Sequence, residues 1–140
     1  MMTDRIGDLV PVTRLLMERA LDEHRKNLAE SRRVAAELDE IDALRQRAQG
    51  QMQDVGASRI VGADTLWQGW LMQRRTRLMQ EAALARAREL DSFGRARTAF
   101  ARAQATQSLE DKRRAEARAK FLFHEEERLE ALSVLRDSWR

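Results

Sequence analysis

His24 and His124 are the only imidazoles in this chain, and cysteine and tyrosine are absent. Imidazole, thiolate and phenolate are among the side chains that most often serve as bases, nucleophiles or metal ligands near neutral pH. A helical di-metal site would place a glutamate three residues before each histidine, on the same face. Leu21 and Phe121 stand at those positions instead. Glu125, Glu126 and Glu127 supply three carboxylates in a row, but successive residues of a helix point in different directions and cannot converge on one cation. Gly56 and Gly62 lack the Gly-Lys-Ser/Thr ending with which a loop cradles phosphate. The pattern predicts no catalytic residue, no cofactor site and no metal site, and therefore a protein that binds rather than catalyses.

The elements that carry these residues read as long helices. Of 140 residues, 35% are charged, and there are one proline and six glycines, a composition of solvent-exposed helices that touch along a narrow seam. Pro11 stands where a helix can begin. After it, apolar residues recur in alternating steps of three and four through Met17, Leu21, His24, Leu28, Ser31, Ala35 and Leu38, then Ile41, Leu44, Ala48 and Met52. Helix one is thus expected over about residues 12–53. Gly56 and Gly62 mark a loop at 54–63. Asp64 or Thr65 can cap a second helix over about 64–139, with Gly94 a local weakness inside it. The predicted fold is all-α, a single domain built as a long antiparallel two-helix coiled-coil hairpin with an extended C-terminal helix.

A reversal near residues 58 and 59 would set Val12 opposite Ala105 and keep His24 far from His124. Residues 106–140 then have no partner on helix one, yet contain Phe121, Leu122, Phe123, Leu129, Leu132, Leu135 and Trp139. An exposed stripe of this kind marks an interface. The alternatives are a break near Gln107 and Ser108 that folds the tail back, or two copies burying each other's overhangs.

Charge is uneven: net −1 over Met1–Ala63, +7 over Trp67–Lys120 and −2 over Phe121–Arg140. The basic stretch suits an acidic protein surface better than nucleic acid, because Phe93, Ala96, Ala99, Phe100 and Ala103 are spaced as packing residues rather than stacking platforms. Trp67 and Trp70 either cover the loop or, in the case of Trp70, anchor a partner. The lack of cysteine suits a reducing compartment. Met1–Val12 lacks the basic start and apolar run of a secretory signal, and no stretch is apolar enough to span a membrane. A cytoplasmic protein is expected.

The segment Trp67-Gln-Gly-Trp-Leu-Met-Gln-Arg-Arg-Thr-Arg-Leu-Met-Gln-Glu81, after a glycine-bearing reversal, resembles the aromatic-Gln-x-aromatic-aliphatic run of the FliJ family of bacterial flagellar export proteins. The resemblance implies a non-enzymatic stalk of a type III export apparatus, cytoplasmic and peripheral to it, and monomeric when free. Its implied partners are a hexameric export ATPase, the cytoplasmic domain of the export gate, and substrate chaperones. Family members insert the end carrying both termini into the ATPase ring, which would bring Leu16, Met17, Leu21, Leu129, Leu132 and Trp139 there. Trp70, Arg74, Arg77 and Glu81, with Ile41, Leu44 and Ala48 beside them, would face the gate. Arg74 and Arg77 depart from the family pattern, which has apolar or small residues there, and Leu44 and Ala48 replace aromatics. The rival expectations are a generic homodimerising coiled-coil adaptor and, third, a nucleic-acid-binding coiled coil.

Overall fold

A computed structural model describes the backbone of residues 2–54 and 61–140 and the side chains of 5–51 and 65–140. Among the described residues the chain is all-helical, with α1 at Met2–Asp54 and α2 at Val61–Ser138. Both helices are rich in alanine, leucine, arginine, glutamine and glutamate, the strongest helix formers. Arg33 bridges Glu30 and Glu37 on neighbouring turns of α1, and Arg95 does the same with Asp91 on α2. Such exposed pairs add only about 0.3–0.5 kcal/mol each.

The helix bounds differ from those expected. α1 starts at Met2, ahead of the boundary expected near residue 12, and Pro11 lies inside the helix. The ring removes the N–H that would bond the Gly7 carbonyl, and the hydroxyl of Thr13 donates to the Leu9 carbonyl at 2.9 Å just beyond it. Helical turns on both sides outweigh one missing bond. α2 starts at Val61, ahead of the expected cap at Asp64 or Thr65, and continues without a break through Gly94, Gln107 and Ser108. Residues 55–60, the centre of the expected loop, lie outside the described residues.

The chain divides into two compact units, one of Arg19–Arg97 and one of Met1–Glu18 with Thr98–Arg140. In the Arg19–Arg97 unit α1 and α2 pack through an apolar core of Val34, Ile41, Leu71 and Leu78, with Leu38 and Ala82 against it. Leu71 and Leu78 are 0% exposed. Complete burial of a leucine contributes roughly 1.5–3 kcal/mol, so these two side chains dominate the unit. Burial on α1 follows His24, Asn27, Ser31, Val34, Leu38, Ile41, Arg45 and Ala48. Val34 and the stem of Arg45 therefore hold seam positions that the sequence reading gave to Ala35 and Leu44, both of which are exposed.

Further along this unit the seam turns polar. Ser92 is 2% exposed, with its Oγ 3.0 Å from Nδ1 of His24. Asn27 donates from Nδ2 to the Arg88 carbonyl at 3.3 Å. Among the described residues three ion pairs cross between the helices: Arg74 with Glu37 at 3.2 Å, Arg75 with Asp42 at 2.9 Å, and Arg95 with Glu23 at 3.4 Å.

The other unit is held together by polar contacts. The Thr13 and Thr106 hydroxyls are 2.8 Å apart, and Arg14 donates to Gln107 at 3.3 Å. Glu110, 3% exposed, is the one buried residue among the described residues of this unit. Its carboxylate lies against Gly7 and accepts bonds from Arg113 and Arg114 at 2.8–3.0 Å. Beyond Arg113 every residue to Arg140 is exposed except half-buried Glu125.

Candidate partner-binding surfaces

In the Arg19–Arg97 unit the first turns of α2 display Leu66, Trp67, Trp70 and Met72. The seam takes Leu71 inward, and Trp70, one residue earlier on the helix, points about 100° away from it. Trp70 is 57% exposed, a large apolar side chain of the type that anchors interfaces. Arg77 and Glu81 lie further along the same helix, both exposed.

The remaining residues assigned to the gate are placed differently. Arg74 is held by Glu37 across the seam. Ile41 belongs to the core with Val34, Leu71 and Leu78, which removes its side chain from any surface. Leu44 is exposed and Ala48 half-buried. Sequence reasoning did not single out Leu66, although its apolar side chain directly precedes the tryptophans and is among the most exposed of its type.

The second group divides between the units. Leu21 belongs to the Arg19–Arg97 unit, where it is half-buried. Leu16, Met17, Leu129, Leu132 and Trp139 belong to the other. There Leu16 is exposed and Met17 half-buried, and Leu9, Val12 and Leu15 extend the apolar exposure along α1. On α2 of that unit Leu129 and Leu132 are exposed and Trp139 is 88% exposed.

The basic stretch of α2 is partly neutralised by its neighbours. Arg74, Arg75 and Arg95 pair with carboxylates of α1, and Arg113 and Arg114 pair with Glu110. The charge-assisted bonds from Arg113, followed by those from Arg114, hold the Glu110 carboxyl down at a pKa of about 2. Phe93 and Phe100, expected as packing residues, are exposed, while Ala96 is buried and Ala99 and Ala103 half-buried. Small alanines suit the close seam, and each phenylalanine stands one residue beside a seam position. The Phe93 ring meets His24 edge-on, with ring centres 5.6 Å apart.

His124 lies apart from these contacts, with Nδ1 3.4 Å from Glu127 on its own helix. Among the described residues no three His, Asp or Glu side chains are grouped to hold a metal ion, and no helix is long and apolar enough to cross a membrane. No protein-family model, curated protein or solved structure matches this chain.

Proposed function

We propose that the two helices form an antiparallel coiled-coil hairpin that serves, without catalysis of its own, as the stalk of a bacterial flagellar-type export apparatus. The antiparallel reading is supported within each unit by the order of the contacts. Glu23, His24, Asn27 and Glu37 meet Arg95, Ser92, Arg88 and Arg74 in turn, so that along these four pairs the partners on α2 fall in number as those on α1 rise. In the other unit Gly7 meets Glu110, and Thr13 meets Thr106. The three-and-four alternation of buried positions supports coiled-coil packing.

The observation that carries the functional reading is the exposure of Leu129, Leu132 and Trp139 on a helix that stays regular to Ser138. Ordered, exposed apolar residues are suited to entering the ring of a hexameric ATPase alongside Leu16 and Met17. An asymmetric helical stalk in a ring can stabilise one subunit conformation over another by differential contact, while the ring alone hydrolyses ATP. Trp70, Arg77 and Glu81, with Leu44, form the surface offered to the export gate, and substrate chaperones are a further partner class. The protein would act in the cytoplasm, at the periphery of the apparatus.

The test is ATP hydrolysis by the purified export ATPase of the same organism, with and without this protein, together with a pull-down. Binding with stimulation is expected, and Leu132→Glu with Trp139→Ala should weaken both while helicity is retained. Absence of binding by the unaltered chain would remove the stalk reading.

A further inference from the structure

Buried and half-buried positions on α2 follow one alternation through Ser92, Ala96, Ala99, Ala103, Thr106, Glu110 and Arg113. Continued by threes and fours, that seam passes through Ala117, Lys120, His124, Glu127, Ala131 and Val134, which contain little to pack. Four large apolar residues of this segment, Leu122, Leu129, Leu132 and Trp139, follow a different line. Leu122, Glu125, Leu129, Leu132, Arg136 and Trp139 are spaced by three and four in strict alternation. Leu122, Leu129 and Arg136 follow a seam position by two residues and Glu125 and Leu132 by one, which centres the stripe roughly 150° around the helix from the seam. The four apolar members are exposed. A second stripe on the far side of the helix belongs to a different partner from α1.

The two charges in this stripe identify that partner. In a parallel pairing with a second copy, Glu125 would face Glu125 and Arg136 would face Arg136. In an antiparallel pairing centred between Leu129 and Leu132, every layer is complementary. Leu122 meets Trp139, Glu125 meets Arg136, and Leu129 meets Leu132. The two-fold axis repeats each layer, and each puts one edge of the heptad against the other, as antiparallel coiled coils require. The charges are free to pair across the axis, because Glu125 and Arg136 are engaged only by neighbours on their own helix, Arg128 at 3.4 Å and Asp137 at 3.6 Å.

We propose that residues 122–139 of α2 are a self-recognition site, at which a second copy of this chain docks antiparallel with Glu125 of each copy against Arg136 of the other. The arrangement stands independently of the export reading, since it concerns the chain alone. It adds one constraint to that reading: Leu129, Leu132 and Trp139 are covered in the pair, so any ring that takes this end must displace the second copy.

The experiment is molecular mass by sedimentation equilibrium over a concentration series, with far-UV circular dichroism to follow helicity. The unaltered chain should pass from monomer to dimer as concentration rises. Glu125→Arg or Arg136→Glu alone sets like charges opposite each other twice per dimer, and each should raise the dissociation constant at least about tenfold without loss of helix. Glu125→Arg combined with Arg136→Glu should restore association. An equimolar mixture of the two single variants should also associate, as a heterodimer. A chain that stays monomeric at every concentration overturns the proposal. So does a dimer indifferent to the single reversals, or one that neither the double variant nor the mixture restores.

Discussion

Ser92 Oγ lies 3.0 Å from Nδ1 of His24, on a stretch of α2 flanked by the buried alanines Ala85 and Ala96. The hydroxyl also donates to the Glu89 carbonyl at 3.0 Å. With its single proton so used, Ser92 accepts from His24, and Nδ1 carries the imidazole proton. Ser92→Ala should cost about 1 kcal/mol, because it leaves a half-buried imidazole nitrogen without its partner. His24→Leu combined with Ser92→Ala removes both polar groups and should recover at least the original stability. Urea midpoints of the single and double variants decide this.

The apolar layers should behave very differently from the exposed leucines. Leu71→Ala or Leu78→Ala empties a fully buried site and should cost about 2–5 kcal/mol. Leu90→Ala, at an exposed position on the same helix, should stay within about 0.5 kcal/mol. Thermal denaturation of the three variants would show the contrast, and equal effects would place the core elsewhere.

Glu110 gives the Met1–Glu18 and Thr98–Arg140 unit a dependence on acid. Its carboxyl has an ordinary value of 4.5 and is lowered to about 2 when Arg113 and Arg114 bond it. A group whose pKa is depressed by folding stabilises the fold fully above its unfolded value and loses that contribution as pH falls through the folded one. Stability should therefore decline between pH 4.5 and about 2. Glu110→Gln should flatten that part of the curve, as read from melting temperatures across the range.

Pro11 weakens α1 at a position exposed to solvent. Pro11→Ala restores the bond to the Gly7 carbonyl and removes the ring. It should stabilise the protein by about 1–3 kcal/mol. A raised melting temperature is the expected result; a lowered one would mean that the proline ring makes a packing contribution of its own.

Much of the helical seam was legible in the sequence, and the errors have physical causes. Alternation by threes and fours located His24, Ser31, Leu38, Ile41 and Ala48. It slipped by one residue at Ala35, because Val34 is apolar as well and periodicity cannot rank two adjacent apolar residues. It slipped again at Leu44, where the aliphatic stem of Arg45 takes the seam and leaves the leucine in water. Ser92 and Glu110 were invisible to a search for apolar periodicity. Their burial depends on local partners, the Glu89 carbonyl and the two arginines after Glu110. Pro11 misled because a proline favours a first turn but does not forbid an interior one when turns on both sides pack.

The candidate surfaces were legible in a different measure. Trp139, Leu129 and Leu132 could be expected at the surface from the missing counterpart on helix one. Ile41 was assigned to a partner by family resemblance, although its own spacing already placed it on the seam, and the spacing proved the better guide. Leu66 could have been found by asking which apolar residues near Trp70 fall outside the alternation.

Among the described residues, buried apolar layers are confined to Arg19–Arg97, and this has a consequence for the order of folding. Asp42 and Arg75 close a loop of 33 residues, whereas Thr13 and Thr106 are 93 apart. Closing the longer loop directly costs about 1 kcal/mol more in chain entropy, and only hydroxyl and amide contacts reward it. The chain therefore zips from the leucine layers outward, and the polar layers form last and open first. Native-state amide exchange would run as a gradient along α2, slowest near Leu71 and Leu78 and fastest past Arg113.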